Sequence, residues 1–211
     1  MENKVKSEGE KLQEKLFSQK KNGILKLTDA EVKQIDDFCE GYKVFLDKGK
    51  TEREAVAAAI ELAKAKGFTE YDPKHKYSAG DKVYYSNRGK SIILCTFGTE
   101  PIENGVKINA AHIDSPRLDL KQHPVYESNE LCLLKTHYYG GIKKYQWSTV
   151  PLSLHGVIFK ADGEKVTVNI GEDEADPIFL VTDLLPHLAQ EQSKRTLGDG
   201  IKGEELNILI G

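Results

Sequence analysis

The sequence has no close pair of cysteines. Cys39, Cys95 and Cys132 are the only three in 211 residues, an odd number spaced too widely for a disulfide framework or for a CxxC zinc or redox site. Each is expected to be a small buried hydrophobe. No run reaches the ~18 consecutive apolar residues that a membrane span needs, and the start, Met1 to Gly23, is too charged for a secretory signal. No sign of charge dominates: 30 Lys+Arg against 33 Asp+Glu leave −3, which argues against a nucleic-acid partner and against an acidic solvating tail. Internal repeats and low-complexity stretches are lacking as well. These absences leave a soluble, cytoplasmic chain with no membrane and no nucleic-acid partner. At roughly 100 to 200 residues per domain it holds one large domain, or one and part of another.

What is present changes in character along the chain. Glu2 to Lys21 carries a thin apolar stripe, Val5, Leu12 and Leu16, and reads as a peripheral or subunit-contacting helix. Val32, Ile35, Cys39, Tyr42 and Leu46 recur at three- and four-residue steps behind a Thr28/Glu31 capping box, which predicts an amphipathic helix ending near Gly49. Thr51 and Glu54 repeat the box. Val56, Ala59, Ile60 and Ala63 continue it, and Gly67 stands where a left-handed C-terminal residue belongs. From Tyr71 the pattern turns to strands. Val83-Tyr84-Tyr85, the Asn87-Arg88-Gly89 turn, Ser91 to Phe97 and Val106 to His112 predict a three-stranded meander that ends at His112. After the turn signals His123-Pro124 and Ser128-Asn129, the segments Leu131 to Leu134, Gln146 to Phe159 and Lys165 to Ile170 predict a separate β-rich lobe. Its one helical candidate is Pro177 to Gln192, and an apolar run, Leu206 to Ile210, follows. Residues 1–123 and 124–211 are thus expected to be distinct units.

Chemistry concentrates at Ile108-Asn109-Ala110-Ala111-His112-Ile113-Asp114-Ser115-Pro116-Arg117. On an extended chain His112 and Asp114 face the same way, so a carboxylate could orient a metal-bound imidazole and fix its tautomer. Two readings stand at this point: a metal half-site, or an ordinary histidine at a strand end followed by an Asp-Ser-Pro turn. Gly198 to Gly203 matches GxGxxG in letters, but it follows a polar segment and opens no predicted helix to receive a pyrophosphate. Ser115 sits in no GxSxG elbow and Cys95 has no adjacent base, so nucleophilic catalysis lacks support. Tyr138, Tyr139, Tyr145 and Trp147 are assigned to core or subunit interface, because no Arg-rich groove accompanies them.

Three blocks in order, Ala111 to Lys121, Tyr138-Tyr139-Gly140-Gly141-Ile142 and Pro151-Leu152-Ser153-Leu154-His155-Gly156, with Pro186-His187-Leu188-Ala189 beyond them, resemble the aspartyl aminopeptidase family, and its bacterial members in particular. The likeness runs from about residue 80 to the end. It implies an α/β fold, in which the N-terminal part of a zinc-peptidase-like catalytic domain is followed by a β-rich dimerisation lobe. It also implies a metallo-aminopeptidase, a hydrolase that removes N-terminal residues from peptides with metal-activated water. Two zinc ions per complete protomer, a peptide substrate and dimers assembling into a dodecamer are implied in the same way; other divalent metals suit His and carboxylate ligands too.

By position, His112 resembles the family's first zinc ligand and Asp114 the catalytic-site carboxylate that orients it. His137 could project toward a neighbouring subunit's active site, the alternative being an interfacial or surface residue. His155 and His187 fit as structural residues. The family's Asp-Asp pair, Glu-Glu pair, further acidic ligand and C-terminal His have no counterpart in these 211 residues, and Glu204-Glu205 reads as a solvated turn. The chain therefore resembles an N-terminal half, expected to be inactive alone and to expose Ile108 to Ala111 and Leu206 to Ile210 as unpaired strand edges. The alternative is a non-catalytic fragment that acts as an oligomerisation module.

Overall fold

The computed structural model describes residues 6–18, 20 and 22–210. The chain divides into two compact units, Met1–Phe45 and Leu46–Gly211.

In the first unit, α1 spans Glu8–Leu16 and begins where Ser7 and Glu10 close a reciprocal capping box. It is shorter than the expected helix. Leu12 lies on it and Leu16 ends it, whereas Val5 lies outside the described residues. The next helix, α2 (Asp29–Lys48), runs into the second unit and buries none of its residues. Its start is fixed by the Thr28/Glu31 box, with the Thr28 amide donating to Glu31 Oε2 at 2.8 Å and the Glu31 amide to Thr28 Oγ1 at 3.3 Å. Cys39 on this helix is exposed, and Cys95 and Cys132 are only half-buried, so none of the three is the buried hydrophobe expected.

The second unit opens with α3 (Glu52–Ala65), again behind a complete capping box, Thr51 with Glu54. This helix does bury a face, through Ala55, Val56, Ala58 and Ala63. It packs on a three-stranded sheet in the order β1 (Thr69–Glu70), β2 (Lys82–Asn87), β3 (Ser91–Thr96). Strands β2 and β3 form the predicted hairpin, with Arg88 and Gly89 at φ 56° and 66° in its turn. The third strand is not the one expected. It is β1, parallel to β2, while residues 105–116 form no strand at all. Val106 and Ile108 are 61% and 79% exposed, and among the described residues no strand offers this segment a ladder.

A second sheet has the order β4 (Arg117–Ser128), β5 (Leu131–Tyr139), β9 (Ile208–Leu209), β8 (Leu180–Val181), and β6 (Leu154–Phe159) pairs separately with β7 (Lys165–Ile170). The turn expected at His123-Pro124 is a bulge inside β4. The register passes from Leu120 opposite Thr136 to Val125 opposite Leu134, so Pro124 sits where its missing amide costs no ladder bond. Leu206 to Ile210 is not an exposed edge either, since Ile208 and Leu209 lie between β5 and β8. Leu134, Val181, Ile201, Leu206 and Ile208 form the core, flanked by Leu118, Tyr138, Ile142, Trp147, Leu152 and Phe179. Thr136, the buried polar side chain among the described residues, is satisfied by donating its hydroxyl to the Leu206 carbonyl.

The helix expected over Pro177 to Gln192 does not form. Phe179 exchanges backbone bonds with Leu152, and the Val181 carbonyl accepts from Thr149, so non-local pairing claims the backbone. Pro186 also disfavours helical geometry at Leu185. Only one turn at Leu185–Ala189 and a short 3₁₀ segment, Gln192–Lys194, remain. Among the described residues no helix is long and apolar enough to cross a membrane.

Candidate functional site

The segment bearing His112 leads directly into β4, and β5 returns beside it. Asp114 precedes β4 by three residues, and the β4–β5 register sets Arg117 opposite Tyr139. Just after Tyr139 the chain turns at Gly140 (φ 84°), whose backbone lies against Pro116; a Cβ there would meet Pro116 Cα at 3.6 Å. A side chain at this φ is strained, so glycine permits the close return.

Sequence reasoning singled out His112 and Asp114, and the structure brings them together. His112 Nδ1 lies 3.1 Å from Asp114 Oδ1 and 3.0 Å from the Asp114 carbonyl oxygen. Two acceptors at Nδ1 favour the tautomer with its proton there, which leaves the Nε2 lone pair free to bind a metal. The imidazole is open, 82% exposed, and Asp114 36%. Asp114's second oxygen accepts from the Tyr139 hydroxyl at 2.8 Å. That bond, then the backbone and His112, hold the Asp114 carboxyl below its ordinary range, and the same bond pushes the Tyr139 hydroxyl up. An ionised carboxylate is the form that best accepts from the ring N–H.

Behind Tyr139 stands a charged brace. The Arg117 guanidinium lies 4.2 Å from the Tyr139 ring centroid. Its Nε donates to Asp119 Oδ1 at 2.7 Å, and Nη1 is 3.2 Å from Glu52 Oε1 in the first turn of α3. Tyr139, 39% exposed, thus joins the His112–Asp114 pair and does not lie in the core, the first of the two places expected for the aromatic cluster. Alternation along β5 could have revealed it, because Tyr138 and Tyr139 must face opposite ways.

The residues fit a metal as one ligand and its orienting partner. They do not build a whole site: among the described residues no group of three or more His, Cys, Asp or Glu could hold an ion. His137, two residues before Tyr139, is exposed and stacks on Tyr138 at 5.4 Å. It does not join the His112 pair. Nearby, the Lys121 ammonium holds the Glu204 carboxyl below its usual range.

A second polar cluster was missed. Ser153, His155, Glu172 and Glu54 meet beside an apolar groove of about 910 Å³, which Arg117, Trp147, Ser153 and His155 help to line. His155 Nδ1 is 2.8 Å from Glu54 Oε1, and Nε2 is 3.0 Å from both Ser153 Oγ and Glu172 Oε1. The spacing imitates a Ser-His-acid triad, but Ser153 donates its proton to Glu172 at 2.8 Å and faces a carboxylate where a nucleophile needs a free base. With only 9% of its side-chain surface exposed, His155 instead ties α3 to the β6–β7 hairpin, in keeping with its structural assignment.

Residues 45–210 match the family described as Aminopeptidase I zinc metalloprotease (M18). The chain belongs to the M18 family. The match extends further toward the N-terminus than the expected likeness, which runs from about residue 80. It is 49% identical over 193 residues to a probable M18 family aminopeptidase 1 of Borreliella afzelii, covering 91% of this chain and 42% of that protein. The crystal structure of an M18 aminopeptidase from Thermotoga maritima superposes with a TM-score of 0.84 at 38% identity, covering 92% of this chain and 42% of that one. A more distant structure, the S. cerevisiae mApe1 dodecamer, shares the fold at 19% identity with a TM-score of 0.62, over 84% of this chain and 39% of that one. The chain thus spans about 42% of the length of the M18 relatives it matches, consistent with an N-terminal part. Its α/β class agrees with expectation.

Proposed function

We propose that this chain is the N-terminal part of a zinc aminopeptidase, in which His112 is a zinc ligand and Asp114 the carboxylate that orients it. The observation that carries the reading is the His112 ring itself, with Nδ1 engaged twice by Asp114 and Nε2 open, in a chain of the M18 family. Bound zinc would supply a Lewis acid that lowers the pKa of its water toward ~7 and polarises the scissile carbonyl. The chain's own residues prepare for this: Asp114 holds the Nδ1 proton and the ring plane, so that Nε2 offers its lone pair in a fixed direction.

The remaining parts follow the family. Two zinc ions per complete protomer, a peptide as substrate and removal of its N-terminal residue are proposed for the whole enzyme. The 211-residue chain, with a single imidazole and its partner, is proposed to be inactive alone, because catalytic zinc sites use three protein ligands. Residues 124–211 are proposed as the lobe through which dimers assemble into a dodecamer, with exposed His137 directed at a neighbouring protomer. A reducing, cytoplasmic compartment suits the three free cysteines.

The test is made on the complete enzyme. His112→Ala is expected to remove one metal ion and nearly all peptidase activity, whereas retention of a full metal complement would refute the assignment. Asp114→Asn is expected to be milder, on the order of 10- to 100-fold in affinity or activity, as for other orienting partners. No change in either quantity would reduce Asp114 to a turn residue.

A further inference from the structure

We infer that Tyr139 is a positioning residue for His112, acting through Asp114. The inference rests on the zinc-ligand reading of His112 and carries it across the sheet to β5.

Asp114 lies in residues 105–116, none of which is held in a strand ladder. Its half-exposed carboxylate has no backbone pairing to restrain it, and it can orient a ring only if it is itself held. Tyr139 supplies the restraint. Its hydroxyl takes Oδ2 at 2.8 Å and leaves Oδ1 toward the imidazole, 3.1 Å from Nδ1. The carboxylate's two oxygens are thereby divided between a fixed donor and the ring.

Tyr139 is in turn fixed from three sides. Its backbone is registered on Arg117, its ring is covered by the Arg117 guanidinium at 4.2 Å, and Gly140 folds the next residue onto Pro116. The guanidinium is anchored by Asp119 and Glu52. A surface aromatic kept only for subunit contact would need neither the hydroxyl–carboxylate bond nor this brace. The competing arrangement is that the Asp114 carbonyl, 3.0 Å from Nδ1, sets the tautomer by itself.

The two are separated by the ring ¹⁵N spectrum of His112 in the metal-free chain at about pH 8, where an ordinary imidazole is neutral. Tyr139→Phe keeps the ring under Arg117 and deletes only the hydroxyl. It is expected to lower the Nδ1–H to Nε2–H tautomer ratio of His112 on the order of threefold, the scale of one exposed hydrogen bond, with the other histidines unmoved. Tyr138→Phe, one residue away on the opposite face, is expected to leave the ratio alone. Arg117→Lys keeps the charge but loses the planar cover, and is expected to shift the ratio in the same direction by less. An unchanged ratio in Tyr139→Phe, or an equal change in Tyr138→Phe, overturns the inference. In the complete enzyme Tyr139→Phe is expected to lower kcat with KM unchanged and to weaken zinc binding severalfold. If His112→Ala kept its zinc, the ligand reading would fail whatever the tautomer spectrum shows; if only the tautomer ratio failed to move, Tyr139 would lose its role and the ligand reading would stand.

Discussion

Two segments, Val106 to His112 and Leu206 to Ile210, read alike as strands, and they end in opposite circumstances. The second enters the sheet between β5 and β8, with Leu206 fully buried and Ile208 7% exposed. The first pairs with nothing among the described residues and leaves Ile108 79% exposed. Their sequences do not distinguish them; the availability of partner strands does. Apolar residues specify a tendency to be covered, and a ladder forms only where another strand presents free amides and carbonyls. The helices repeat the lesson. Both α2 and α3 start on a capping box, which is a local device, whereas the face that α3 buries is set by the sheet it packs on within the second unit.

Substitutions should expose the same contrast. Leu206→Ala is expected to destabilise the chain by about 2–5 kcal/mol, since it leaves a cavity beside Val181 and Leu134. Ile108→Ala is expected to stay within about 0.5 kcal/mol, as at other exposed positions. Chemical denaturation of the two variants measures both. Comparable losses would mean that residues 105–116 are covered in solution and that the difference between the two runs is illusory.

A smaller effect is expected from acid. The Glu172 carboxyl is held below its ordinary value of 4.5 first by the Ser153 hydroxyl and then by His155. A carboxyl depressed in the folded state contributes stability above its unfolded pKa, and that contribution fades as pH falls through the lower, folded value. Glu172→Gln should therefore flatten part of the acid limb below about pH 4.5 and change little of the slope near neutrality. At 40% side-chain exposure solvent screening keeps the effect modest. An acid limb identical to the parent's would show that the Ser153–His155–Glu172 contacts do not persist in solution.

Much of the fold was legible where the signal was local. Thr28/Glu31 and Thr51/Glu54 marked helix starts, Gly67 marked an end with its φ of 82°, and the Asn87-Arg88-Gly89 turn marked a hairpin. The misreadings share one physical cause. Pro177 to Gln192 has helical letters, yet Phe179 and Val181 are claimed by distant strand partners, and Pro124 signals a turn that the β4–β5 pair absorbs as a bulge. For the site, His112 and Asp114 were visible because they are two residues apart. Tyr139, 25 residues beyond Asp114, and Glu54, 101 residues before His155, are joined to their partners only by tertiary structure, which no window of sequence contains.

His112 Nε2 is the atom proposed to meet the metal. Anomalous scattering at the zinc edge from crystals of the complete, zinc-loaded enzyme measures this directly. The predicted result is a zinc peak about 2.0–2.1 Å from His112 Nε2, with Nδ1 still on Asp114 and Asp114 still on Tyr139. Zinc bound elsewhere, with the His112 ring turned to solvent, would contradict it.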